Sequence, residues 1–150
     1  MNRSSRWTIT QVAQDLHVRS PDMDQDWGIS NADATRLGEF VAYYRIHAPT
    51  FDDWSVEHDL GELLLESARE ALASDVGDPQ LAEAAVHLVM ARRTSEPTRV
   101  LLAYWTGLDI ADELRDDPES LAWYSLIPLL REALASVAHE ARTRTDAPAS

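Results

Sequence analysis

Three groups of residues have types and spacings that could do chemistry. Asp22, Asp24 and Asp26 alternate along one short segment, and Asp33 follows. Carboxylates at every second position can converge on one hard cation, because calcium takes roughly six to eight oxygen ligands. Glu83 and His87 are one turn apart on an otherwise apolar stretch. They have the spacing of an acid–base pair in which the carboxylate raises the imidazole pKa, or of a structural pair at a helix's solvent edge. Tyr43-Tyr44, Tyr104-Trp105 and Trp123-Tyr124 are adjacent aromatic pairs. Helical neighbours point about 100° apart, so one member of each pair can enter a core while the other reaches the surface. Trp105 and Trp123, with Asp109, Asp112, Asp116 and Asp117 between them, make a candidate face for a basic protein: aromatic anchors inside an acidic rim. The alternative is core packing with each polar tip at the boundary.

The aspartate spacing resembles positions one, three and five of an EF-hand calcium loop, with Ile29 at eight, Ser30 at nine and Asp33 at twelve. It departs from that loop at position six, where glycine makes the sharp turn. Trp27 stands there, and Gly28 comes one residue late. Without an ion, the segment is an acidic loop in which Ser30 or Asn31 caps the following helix. Glu57-His58-Asp59-Leu60-Gly61 resembles the HD dyad of metal-dependent phosphohydrolases, which are all-α. That resemblance implies a divalent transition metal on His58 and Asp59, completed by His47 or His17 and by Asp109 or Asp112. Glu62 stands where the family carries lysine. The alternative is a polar helix start, with Asp59 toward the positive end of the dipole. Thr8 to Val18 resembles the first helix of a helix-turn-helix, but the segment that would enter the groove carries three aspartates that phosphate repels. No serine sits in a nucleophile elbow, and no glycine-rich loop can cradle phosphate.

The elements that must hold these residues read as helices. Thr8 and Gln11 have capping-box spacing ahead of a face made by Ile9, Val12, Ala13 and Leu16. Val18 to Asn31 lacks helical periodicity and predicts a loop. A second helix is expected from about Ala32 to His47, ended by Pro49. A third is expected from Asp52-Asp53 to about Ser74. Val56, Leu60, Leu63, Leu64, Ala71 and Leu72 face inward on it, and Glu57, Glu62, Glu66, Arg69 and Glu70 mostly face outward. Asp78-Pro79 places a cap just before a proline at the first helical position. The helix that follows, to Ala91, is apolar around so much of its circumference that it is expected at the centre of the fold. Another helix starts at Ser95-Glu96-Pro97, and Gly107 leaves open whether 96–116 is one helix or two. Asp117-Pro118 opens a last helix to about Arg142, kinked at Pro128, with 143–150 as a flexible tail. No segment alternates as a strand would. The expectation is one all-α domain over 1–150, an irregular bundle of five to seven helices with no sheet and an ordered core at about 7–142.

Composition narrows the function. The chain has 150 residues, 45% of them apolar, enough to bury a core despite a net charge of −13. The acidic excess disfavours nucleic acid and suits a basic partner or a cation, besides keeping the protein soluble. With no cysteine, neither disulfides nor thiolate metal sites can form, which fits the cytoplasm. All thirteen basic residues are arginine, which with abundant alanine suggests a GC-rich bacterial genome. Met1 to Gln11 has no apolar stretch of a signal peptide, and the apolar runs fall short of the ~20 residues that span a bilayer. These readings favour a non-enzymatic protein-binding or regulatory module without a cofactor, engaging a basic protein as antitoxins and immunity proteins do. Self-association is left open. The alternatives are a phosphohydrolase-like enzyme centred on His58 and Asp59, with His47 and Asp109, and a calcium-binding helix–loop–helix at 22–33.

Overall fold

Polar side chains start three of the helices where the sequence places them, because each first turn leaves backbone N–H groups without partners. The computed structural model describes residues 7–19, 26–74, 77–107 and 126–146. Among these there are seven α-helices and no strand. They are α1 (Ile9–Leu16), α2 (Trp27–Asn31), α3 (Leu37–His47), α4 (Trp54–Ala73), α5 (Pro79–Met90), α6 (Glu96–Thr106) and α7 (Leu126–Asp146). Thr8 Oγ1 accepts from Gln11 N at 3.1 Å, Asp53 from Val56 N at 3.0 Å and Asp78 from Gln80 N at 2.9 Å. The capping box at α1 is only half made, since the Gln11 side chain donates forward to Asp15 at 2.8 Å. His17, in the left-handed region at φ 54°, closes the other end of α1.

Two boundaries differ from expectation. The segment expected as one loop from Val18 to Asn31 contains α2, because the Trp27 indole is buried and donates to Arg19 O at 2.6 Å. Asp33 then accepts from Thr35 N and Oγ1, starting a 3-10 turn at Ala34–Arg36, so the helix expected from Ala32 begins at Leu37. At the other end α7 continues to Asp146, beyond the Arg142 expected. The Asp117-Pro118 start, and whether the chain is helical through 108–116, lie outside the described residues. Pro128 is the third residue of described α7.

The centre of the bundle is α4, not the more uniformly apolar α5. Its twenty residues span about 30 Å, enough to touch α1, α2, α3, α5, α6 and α7. Leu63, Leu64 and Leu65 are consecutive and fully buried. Three successive helical positions cover about 200° of circumference, so α4 is enclosed by neighbours there. By contrast α5 packs on α3, α4 and α7 while exposing Glu83 and His87. Length and position outrank composition here: only the longer helix reaches every layer. Gly77 lets the chain fold back on the end of α4, where a Cβ would come within 2.2 Å of Ala71 Cα. Arg131 of α7 donates to Thr106 O at 2.9 and 3.2 Å, satisfying a carbonyl at the free end of α6.

Candidate functional site

Seven ionisable side chains, Glu57, His58, Asp59, Glu62, Glu66, Arg69 and Glu70, lie along α4, on two sides of one helix. On the first side is Glu57, only 3% exposed. Arg92 Nε donates to its Oε1 at 2.7 Å, and Ser95 and Thr98 hydroxyls both donate to its Oε2, the latter at 3.1 Å. The Tyr44 ring is buried beside this group, and burial followed by the Glu57 charge holds its phenol above the ordinary range. The network ties α4 to the α5–α6 turn and the first turn of α6. Both oxygens of the carboxylate have donors, which is the condition for tolerating a buried charge.

On the other side, beginning one residue later, stands a row of carboxylates without comparable compensation. His58 Nδ1 lies 3.0 Å from Asp59 Oδ1, and that bond raises the imidazole pKa against the opposing effect of burial. The Trp54 indole stacks on the imidazole, centroids 5.0 Å apart and planes 13° from parallel, while remaining 45% exposed. One turn on, Glu62 is pressed against α2. A Cβ on Gly28 would come within 2.9 Å of Glu62 Oε1 and 3.0 Å of Leu63 N, so glycine lets α2 lie close against α4 here. The Glu62 carboxyl is pushed up to about 6, first by burial and then by the charges of Asp59, Glu66 and Asp26, with His58 opposing. Glu66 is likewise raised by burial, although Arg69 pairs with it. Burial also raises Glu70, with the Asp33 charge adding and an Ala34 backbone hydrogen bond opposing. Such groups hold protons more readily than free carboxylates do.

The described members of the proposed ligand sets are not brought together as a metal site. His47 packs against Trp7 and Tyr43, at 5.2 and 4.5 Å between ring centroids, whereas His58 stacks on Trp54. Asp109 lies outside the described residues, as do Asp112, Asp116, Asp117 and Trp123. Among the described residues no three His, Asp or Glu side chains are placed to hold a metal ion. Of the calcium set, Asp22 and Asp24 lie outside the described residues, Asp26 precedes α2, and Asp33 is engaged as a helix cap. The glycine that an ion loop would use for its turn is instead the contact point with Glu62.

Trp105 requires a correction. It is 2% exposed beneath the Arg69 guanidinium, 5.7 Å from its ring centroid, so it is a core residue and no surface anchor. Its neighbour Tyr104 is the outward member, at 62% exposed. Trp54, Glu57 and Glu62 carry the site's chemistry and were not singled out from the sequence. The charge pattern puts Glu57 outward with its neighbours, yet it lies in the row Glu57, Leu60, Leu64, Ala68 and Ala71 and is buried with them. A carboxylate in line with an apolar row was the available signal. Glu83 and His87 are both exposed and no hydrogen bond joins them. They line a cleft of about 200 Å³ with Val86, Leu129, Glu132, Ala133 and Ser136.

No family model matches this chain, and neither a curated protein nor a solved structure is similar to it. No helix among the described residues is long and apolar enough to cross a membrane.

Proposed function

We propose that this chain is a non-enzymatic, acidic helical module that binds a basic protein partner. The rim formed by Trp54, Asp59, Glu62 and Asp26 is the contact. One observation carries the reading: the Glu62 carboxyl, crowded by burial, Asp59, Glu66 and Asp26, sits at about 6. Crowded carboxylates are relieved by an incoming cation, so a guanidinium gains energy here that an isolated surface pair does not offer. The exposed part of the Trp54 indole supplies a π-surface for the same group. The net charge of −13 steers basic partners toward the protein from a distance.

The test is binding of an arginine-rich peptide, followed by fluorescence anisotropy. Affinity should fall as salt rises, and the pair Asp59→Asn with Glu62→Gln should weaken it at least about tenfold, the equivalent of one lost charge-assisted contact. A control pair removing the same charge elsewhere, Glu83→Gln with Glu132→Gln, should leave it nearly unchanged. Equal loss in both pairs would reduce the effect to net charge and sink the proposal. Because Glu62 titrates near 6, binding should also tighten between pH 5.5 and 7 as its proton leaves.

A further inference from the structure

A second site stands on α1 and α3, apart from the α4 rim. Trp7, Gln11, Asp15, His47 and Thr50 line a cleft of about 470 Å³. Its size falls in the range that small ligands occupy, roughly 300 to 1,000 Å³. The wall is aromatic: Trp7 meets His47 and Phe51 edge-on at 5.2 Å, and Tyr43 lies 4.5 Å from His47. At the polar end the Asp15 carboxylate is fixed from two directions. Gln11 Nε2 donates to Oδ1 at 2.8 Å and Tyr43 Oη donates to Oδ2 at 2.7 Å. Burial and the Asp15 bond hold the Tyr43 phenol above its ordinary range, so it remains a donor at any physiological pH.

These bonds occupy the Tyr43 and Thr50 hydroxyl protons and one Gln11 N–H, and leave acceptors. The Gln11 amide has turned its N–H toward Asp15, leaving its carbonyl oxygen available. Thr50 has directed its hydroxyl proton to His47 O at 2.8 Å, leaving its own oxygen as an acceptor. Asp15 keeps lone pairs beyond the two in use. An aromatic wall beside three acceptor oxygens, one of them anionic, suits a flat or compact cation and repels an anion.

We propose that this cleft binds an organic cation, seating an ammonium or guanidinium head against Asp15 with its carbon stem along the Trp7 and His47 rings. The head can come from a free amine or from an arginine side chain of another protein. The proposal is one of binding, and no reaction is assigned to the cleft. The proposal does not rest on the α4 rim, and its variants leave Asp59 and Glu62 intact.

The experiment is a two-dimensional ¹⁵N–¹H NMR titration of the full chain with agmatine and, separately, with an acetylated tri-arginine amide, using butyrate as the anionic control. Saturable shifts confined to the Trp7 indole, the Gln11 side-chain amide and backbone amides near Asp15 and His47 are expected, with no response to butyrate. Saturation by agmatine assigns a free amine, whereas saturation by the peptide alone assigns a side chain; either supports the site. Asp15→Asn keeps the size and the Tyr43 bond and should weaken binding about tenfold or more, as loss of a hydrogen bond to a charged group does. Gln11→Met should weaken it about threefold, and stands in if Asp15→Asn melts the domain. Shifts scattered over the acidic surface, or an affinity the same in both variants as in the parent, would overturn the proposal. So would a failure of both cations to saturate.

Discussion

Glu57 and Glu62 stand little more than one turn apart on α4, and opposite things happen to them. Glu57 is deeply buried but met by Arg92, Ser95 and Thr98. Glu62 is only half-buried but is met by Asp59, Glu66 and Asp26, with His58 as its opposing cation. Burial alone does not decide what a carboxylate is for. A buried carboxylate with a full set of donors is a structural joint, because removing any partner strands a charge. A half-buried one facing its own kind holds unrelieved repulsion that an external cation can discharge. The same helix therefore carries a buried polar tie and a crowded acidic surface, separated by its own circumference.

The largest expected effect tests the first half of that contrast. Glu57→Ala leaves the Arg92 guanidinium and two hydroxyls without their acceptor and opens a void beneath α6. Breaking a buried pair costs about 3–5 kcal/mol, and Arg92 is a quarter exposed, so the lower end, about 3 kcal/mol, applies. For a chain of this length that lowers the melting temperature by roughly 10 °C. Adding Arg92→Ala to Glu57→Ala should cost much less than either change alone would suggest, since the stranded cation is gone too. Strict additivity in that cycle would show that the two groups do not interact.

A smaller effect, of opposite sign, tests the second half. A carboxyl with a raised folded pKa binds its proton more tightly when folded. Its contribution to stability is full below the unfolded value and is lost as pH rises through the folded one. For Glu62 the window runs from 4.5 to about 6. Each pKa unit is worth about 1.4 kcal/mol, but the group is half open to water, so about 1 kcal/mol remains after screening. Glu62→Gln should remove the decline across that window and raise the melting temperature at pH 7 by about 3 °C. Thermal melts from pH 4 to 8 check both statements. A variant less stable than the parent at pH 7 would place Glu62 among the structural carboxylates with Glu57.

Helices were legible where local chemistry decides them, and the site was not, because the packing of distant segments decides it. Thr8, Asp53 and Asp78 announce their helices through single side chains that reach their own backbones. Phe40, Val41 and Tyr44 recur at helical spacing, and they form the buried face of α3. Which helix becomes the hub depends on who packs on whom, and the charges printed along α4 hid it. Trp27 shows the same limit. Amid aspartates it read as loop, yet its burial and its bond to Arg19 O build α2. The approach of α2 through Gly28 is what crowds Glu62. Trp105 shows how a surface role can be misread from charge: acidic residues follow it in the chain, while the helix turns it inward beneath Arg69.

The finest distinction concerns His58, the residue between the two regimes. Its pKa is raised chiefly by the bond to Asp59, and burial works against that rise. A histidine with a raised pKa contributes stability that is full below its unfolded value of about 6.5 and is lost as pH climbs through the folded value. Asp59→Asn replaces the charged acceptor by a neutral one of the same shape, so the imidazole pKa should fall back toward 6.5, read from its Cε1 proton by NMR. The pair is partly exposed, so the stability cost below pH 6.5 should be only about 0.3 kcal/mol, near the limit of a thermal melt. Glu62 then loses a neighbouring anion and, as His58 deprotonates earlier, part of a neighbouring cation. Its own titration should therefore move little, and a large shift in either direction would mean that Asp59 rather than burial governs the acidic side of α4.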